Sequence, residues 1–202
     1  DALPILIDHP PMDRLADLQR MIADFAKVIR TPPMGDAGRP ENDVEHSYGL
    51  AMTCWYLHPK IAPKLDLLKI LQYALAHDIV ELHAGDTFIF DAELAATKEQ
   101  RERDGLVQIR HDWPDFSELA DYAESYMDKV DPEARFVKAV DKLLPVIMIE
   151  LDDKPTDVWK RLGITLEMER DNKVTIHVSD DVSPYYELLL EWLDERGNIP
   201  KR

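Results

Sequence analysis

The sequence contains one cysteine, Cys54, and only seven glycines among 202 residues. A lone cysteine excludes an internal disulfide and any cysteine-rich zinc cluster, and it suits a reducing compartment, here taken as the cytoplasm. Seven glycines against fourteen prolines argue against a glycine-rich nucleotide-binding α/β sheet. Positive charge is scarce as well: Lys and Arg number 24 against 40 Asp and Glu, a net charge of −16. Such a surface repels a phosphate backbone, which weighs against nucleic-acid polymers and anionic membranes as partners. A small anionic substrate stays compatible with it if a metal or a few local cations receive the charge. No apolar run approaches the ~18 residues of a membrane span, and the first eight residues carry no basic segment or long apolar stretch. Because the first residue is Asp rather than Met, removal of an earlier targeting segment remains compatible with the chain.

What the sequence has is helical periodicity. After residue 11, apolar residues recur at spacings of three and four, and alternating β-branched runs are few. The fold class is all-α. A first helix is expected over about 12–30, followed by a proline- and glycine-punctuated loop through Pro40. Asn42 with Glu45 three residues on resembles a capping box, so a second helix opens there and runs to about His58-Pro59. A third covers about 65–83. Charged helices are expected over 91–111 and 115–129, another over 132–152, and another from Pro155 into the 170s. Ser183-Pro184 and Gly197 frame the last one. Residues 174–178 have strand propensity, but one such run makes no sheet. Without a repeat or long linker, residues 1–202 form a single domain.

Seven His and 25 Asp in 202 residues predict about one His-Asp pair by chance, and there are two. Position separates them. His111-Asp112 lies beside Trp113-Pro114 among charged neighbours and is assigned to the surface. On the third helix, Leu67, Leu71, Ala74, Leu75 and Asp78 fall on one apolar stripe flanked by Ile70, His77 and Glu81. His46 shares a stripe with Leu50, Thr53 and Leu57, and Asp141 lies beside Val137, Leu144 and Met148. An unpaired carboxylate on such a face costs several kcal/mol. One divalent ion held by His46, His77, Asp78 and Asp141 would satisfy all four, and this donor set suits Mn²⁺, Co²⁺, Fe²⁺, Ni²⁺ or Zn²⁺, with Mg²⁺ less natural for imidazole. His9, His58, His83 and His177 lack an inward stripe, and Cys54, with no basic neighbour, is taken as packing.

The segments Arg39-Pro40-Glu41-Asn42-Asp43-Val44-Glu45-His46-Ser47, Ala76-His77-Asp78-Ile79-Val80-Glu81 with Gly85-Asp86, and Phe136-Val137-Lys138-Ala139-Val140-Asp141-Lys142 resemble the HD-domain phosphohydrolases, and within them the 5′-deoxynucleotidase branch. The match spans about residues 20–150, leaving 155–202 as helices packed on this HD core. The resemblance implies an HD-domain helical bundle with His46, His77, Asp78 and Asp141 on the metal. It implies that Glu81 and Asp86 are the acidic pair, acting as catalytic acid/base or as ligands of a second ion. Arg39 is placed at the phosphate or substrate, and Arg30, which aligns with one inserted residue to the arginine of the branch's Arg-Trp pair, is placed with it as a second phosphate-binding residue. Thr31 replaces the tryptophan, which predicts a weaker preference for deoxyribose, with Met34 as another residue to fill the space. A homodimer and a small nucleotide substrate are further implications.

The reaction expected is hydrolysis of a (deoxy)nucleoside 5′-monophosphate to nucleoside and phosphate. The rivals are an HD-type triphosphohydrolase of nucleoside triphosphates and a metal-stapled nucleotide-binding protein without turnover. Lys98, Arg101 and Arg103 are candidates to add to the cations at the phosphate, but their mixed-charge run is read first as a solvated helix face.

Overall fold

The computed structural model describes residues 11–87, 92–171 and 178–202. His9, His177 and all but the last residue of the 174–178 run lie outside them. Helix α1 (Met12–Phe25) leads into a two-stranded antiparallel ribbon of β1 (Ile29–Pro33) and β2 (Pro40–Asn42). There follow α2 (Asp43–Ile61), α3 (Leu67–Ala76), the single turn α4 (Glu81–Ala84) and α5 (Ala92–Asp112). Then come α6 (Ser117–Met127), α7 (Pro132–Glu150), α8 (Pro155–Leu162), α9 (Leu166–Asp171) and α10 (Ser183–Arg196).

The all-α class holds, with three local corrections. Helix α1 stops at Phe25 rather than near residue 30, and Ile29–Pro33 is a strand, not loop. Pro32 and Pro33 lack N–H donors and hold an extended backbone, which a two-stranded ribbon tolerates. The helix expected from 155 into the 170s is two, broken at Gly163, whose φ of +68° favours glycine. The helix expected over 65–83 ends at Ala76. Beyond it, Ile79, Glu81, Leu82 and His83 each donate to the carbonyl three residues back, so the chain tightens over the His-Asp pair before α4. The buried face of α3 also differs from the expected stripe. Leu75 is 57% exposed, while Ile70, Tyr73, Ala74 and Ala76 form the buried face.

The capping box forms as read: Asn42 Oδ1 accepts from the Val44 and Glu45 amides, and the Asn42 amide donates to Glu45 Oε2 at 3.1 Å. Asp131 caps α7 through the Ala134 amide. Helix α7 is the axis of the molecule, packed against α2, α3, α6, α8 and β1. Two apolar clusters build the core. One joins α2, α3, α7 and α10 around Leu50, Phe136, Val140, Trp159 and Tyr186; the other joins α1, α5 and α6 to Ala76, Ile79 and Val80. His77 and Asp78 therefore lie on the seam between the clusters. The C-terminal segment is tied to α7 by Glu150, which accepts from Trp159 Nε1 at 2.6 Å, Arg196 Nε at 2.7 Å and Asn198 Nδ2 at 2.8 Å.

Candidate metal centre

Three helix segments deliver polar groups to that seam. Helix α2 brings His46, 2% exposed, whose Nε2 lies 3.0 Å from Asp141 Oδ1 on α7 and whose Nδ1 lies 3.1 Å from Glu41 Oε1. The tightened turn brings His77, with Nδ1 2.9 Å from the Ala74 carbonyl and Nε2 2.8 Å from Asp78 Oδ2. The second contact lacks hydrogen-bond geometry, so His77 Nε2 is a buried nitrogen without a partner. The imidazoles of His46 and His77 are 5.3 Å apart. Tyr126 on α6 donates to Asp141 Oδ2 at 3.1 Å.

One donor atom each from His46, His77 and Asp78 lie within 4.8 Å of one another, and so do one each from Asp43, Asp78 and Glu81. The two groups share Asp78. The first, with Asp141 hydrogen-bonded to His46, contains the four residues that the sequence nominated. The second does not include Asp86, which lines the adjoining cavity instead; its place is taken by Asp43, a residue the sequence reading passed over.

Electrostatics sort these acids into two kinds. Burial would raise Asp141, but Lys142, the His46 hydrogen bond and Lys138 outweigh it and hold the carboxylate well below its ordinary range. Burial would likewise raise Asp78, yet His77 and Arg30 hold it well below. Glu81 goes the other way: burial, Asp78 and Asp43 push it well above the usual range. Burial and Asp78 push Asp43 up to about 7. His46 is pulled down by burial and Arg30, but Asp141 and Glu41 prevail and raise it to about 9. Two carboxylates kept ionised, two held near their protonated form, and buried unpaired atoms at His77 Nε2, Glu81 Oε2 and Asp43 Oδ2 make a site short of positive charge. Two imidazoles and two ionised carboxylates are donors for a borderline divalent ion, so the residues fit a metal.

Among the described residues, Arg30 is the guanidinium inside the cluster. Its Nη1 lies 2.8 Å from Asp78, 3.1 Å from Asp43 and 4.0 Å from Glu81, and its Nε 3.2 Å from Glu41. Arg39 is not brought there. It is half-exposed in a forked pair with Glu45 and lines a separate groove with Thr31, Pro33 and Arg161. Strand alternation explains the split: Arg30 and Pro32 face the metal centre, while Thr31 and Pro33 face the other groove.

Beside the centre lies a cavity of about 250 Å³, lined at one end by Arg30, Asp78, Glu81, Asp86, Asp141, Lys98, Lys138 and Lys142. Lys98 Nζ is 3.8 Å from Glu81, and the amines of Lys142 and Lys138 are 3.3 and 3.7 Å from Asp141. Lys98 therefore belongs to the site rather than to a solvated face. Burial and Lys142 bring Lys138 down to about 8. Asp43 and Lys138 each lie three residues before a nominated ligand, His46 and Asp141, and that same-face spacing was the available signal for both.

A paired-histidine, paired-aspartate centre at the seam of a helical bundle defines a class, and the chain belongs to the HD domain family, whose model matches residues 25–181. Among individual proteins, it is similar to 5′-deoxynucleotidase HDDC2 of Danio rerio, 28% identical over 71% of this chain and 74% of the relative. The Homo sapiens protein of the same name is 26% identical over 70% of this chain and 71% of the relative. The crystal structure of a predicted metal-dependent phosphohydrolase from Magnetospirillum magnetotacticum aligns with a TM-score of 0.78 at 28% identity, covering 93% of this chain and 96% of that one. The PH0347 protein of Pyrococcus horikoshii shares the fold, with a TM-score of 0.60 at 20% identity, covering 88% of this chain and 98% of the other.

Proposed function

We propose that the protein is a metal-dependent phosphohydrolase that converts (deoxy)nucleoside 5′-monophosphates to nucleoside and phosphate. The observation that carries this reading is the buried donor set of His46, His77, Asp78 and Asp141 opening onto a cavity rimmed by three lysines. The names of the relatives support the class of reaction, and the acidic exterior, net −16, supports a small substrate over a polymer.

The cation, when bound, polarises the phosphoryl group and acidifies water. The side chains do the rest. Lys98, Lys138 and Lys142 supply the positive charge that receives the phosphate, because the Arg30 guanidinium is already committed to four carboxylates. Glu81, held toward its protonated form, carries a proton on a carboxyl group whose Oε2 makes no hydrogen bond among the described residues. That proton is available to the departing nucleoside oxygen, and the same carboxylate then takes one from water. Asp86, on the cavity wall, orients the attacking water. Where a second ion binds, Asp43, Asp78 and Glu81 are the donors for it.

Phosphate, pyrophosphate and triphosphate release from a panel of nucleotides, with Mn²⁺, Co²⁺, Fe²⁺, Ni²⁺, Zn²⁺ and Mg²⁺ in turn, tests the reading. Phosphate from monophosphates is expected. Intact triphosphate released from nucleoside triphosphates, with no phosphate from any monophosphate, refutes it. Glu81→Ala is expected to keep metal and nucleotide but lose turnover by ~10²–10⁴-fold; recovery with excess metal moves Glu81 into the second-ion role.

No helix among the described residues is long and apolar enough to cross a membrane. The implied homodimer is supported by an exposed apolar stripe on α2, Tyr48, Met52, Trp55 and Tyr56, of the kind that marks association surfaces. Sedimentation of the purified protein tests it.

A further inference from the structure

The cavity has a second end that hydrolysis of the phosphate does not use. Away from the lysines it is walled by Pro145, Val146 and Ile149 of α7 together with Leu162 and Ile164 from the α8–α9 corner, and it reaches Glu169 of α9. A glutamate is out of place in such a wall. Glu169 is 5% exposed, and among the described residues its carboxyl has one hydrogen-bond neighbour, Tyr186 Oη at 3.5 Å. Tyr186 has a single O–H proton, and that proton is directed at the main-chain carbonyl of Glu169 in a short contact. Among the described residues the carboxyl therefore has one long contact, and it lies in an apolar arm on the wall of the space where a bound molecule would extend. Buried carboxyls are normally paired, and among the described residues this one has only that long Tyr186 contact.

We propose that Glu169 reads the nucleobase of the substrate, accepting a hydrogen bond from an exocyclic amino group and so selecting cytosine over uracil. The proposal rests on the nucleotide reading above, with phosphate at the lysine end and the base in the apolar arm. The arm's aliphatic side chains cover the faces of a base, and the one acidic group at its end meets the base edge. Cytosine offers N4–H₂ to an acidic side chain, and carboxylate recognition of that amino group is a standard base contact. Uracil and thymine carry O4 at the same place, where two oxygens with lone pairs would oppose each other. A volume of about 250 Å³ is just under the ~300 Å³ lower bound of ordinary small-molecule sites, which suits a mononucleotide rather than a larger ligand. Burial, working against the Tyr186 contact, raises the Glu169 carboxyl to about 7. Either protonation state keeps an acceptor oxygen for N4–H₂, and the neutral form adds a donor for N3.

The test compares dCMP with dUMP, which differ at this base edge, in the wild type, Glu169→Gln and Glu169→Met. Two readouts are taken on the metal-loaded protein: kcat/KM for each monophosphate, and equilibrium binding of deoxycytidine and deoxyuridine, which needs no turnover. The wild type is expected to favour the cytosine partner by about tenfold or more. The preference should fall to about one in Glu169→Met, and also in Glu169→Gln, whose amide can turn its NH₂ toward O4. Since each protein is judged by its own ratio, a general loss of activity does not imitate the result, and Glu169→Gln keeps the side-chain shape if Glu169→Met folds poorly. A wild-type ratio near one, or a ratio unchanged in both variants, overturns the proposal while leaving the hydrolase reading intact. Absence of hydrolysis with a cytosine preference in binding that both variants lose supports Glu169 as the base reader and refutes the hydrolase. Failure of both nucleosides to bind, with no turnover of either nucleotide, overturns the proposal.

Discussion

Arg30 shows how one side chain can hold a cluster of acids together. Glu41, Asp43, Asp78 and Glu81 surround it within 4.0 Å, and its own side chain is only 10% exposed. In water those acids would repel each other weakly; in the seam each depends on the guanidinium or on a cation beside it. Removing one partner of a buried charge pair costs about 3–5 kcal/mol. Arg30→Met is therefore expected to lower the stability of the metal-free protein by about that much in urea unfolding. The same variant adds a net negative charge to the cluster, so added Mn²⁺ should raise its melting temperature by more than it raises that of the wild type. A stability unchanged by Arg30→Met, with only KM increased, would return Arg30 to the phosphate-binding role that the sequence suggested.

At the scale of elements, the site depends on how closely α4 and α5 meet. Gly105 lies mid-helix in α5, and a Cβ there would stand 2.6 Å from the Val80 carbonyl. Backbone cannot yield as a flexible side chain does, so Gly105→Ala must push away the turn that carries Asp78 and Glu81. Alanine is otherwise the better helix former by about 1 kcal/mol. The expected outcome is a fall in turnover and in metal occupancy, with a melting temperature no higher than the wild type despite the propensity gain; unchanged metal content and activity would show that the turn tolerates the shift. What the sequence disclosed and what it hid follow the same divide. His46 was legible because Leu50 and Leu57 continue one helical face, and the Asn42–Glu45 box marked where that face begins. Asp43 was not, since an acid in the first turn of a helix is ordinarily a solvated partner of the helix dipole. Only the β1–β2 ribbon folding across it, with Arg30 reaching in, makes it buried. The ribbon itself is held by tertiary pairing that a Thr-Pro-Pro stretch gives no period to announce. The inward side of α3 was half legible: Ala74 and His77 face in, but Leu75 faces out because the buried face is centred on Ile70, Tyr73, Ala74 and His77 rather than on Leu71 and Leu75.

For the whole molecule, the charge distribution and the fold answer one another. A chain of net charge −16 gathers Asp43, Asp78, Glu81 and Asp141 at the seam between its two apolar clusters, where they would otherwise prise the helices apart. A divalent ion bound there would have no assembled site in the unfolded chain, so it would stabilise the fold by mass action, about 2.7 kcal/mol at a free concentration 100 times Kd. For a protein of this size each kcal/mol shifts Tm by roughly 2–4 °C. Exhaustive chelation is therefore expected to lower Tm by about 5–10 °C, and Mn²⁺ to restore it. Sodium chloride separates this from general repulsion. Salt at 1 M has a screening length of about 3 Å and relieves exposed charges, but buried pairs are screened much less. The chelated protein should thus regain little of its lost Tm in concentrated salt. Full recovery in sodium chloride alone would mean that surface repulsion, and not the seam, limits the stability of the fold, and the metal would then be needed for chemistry but not for structure.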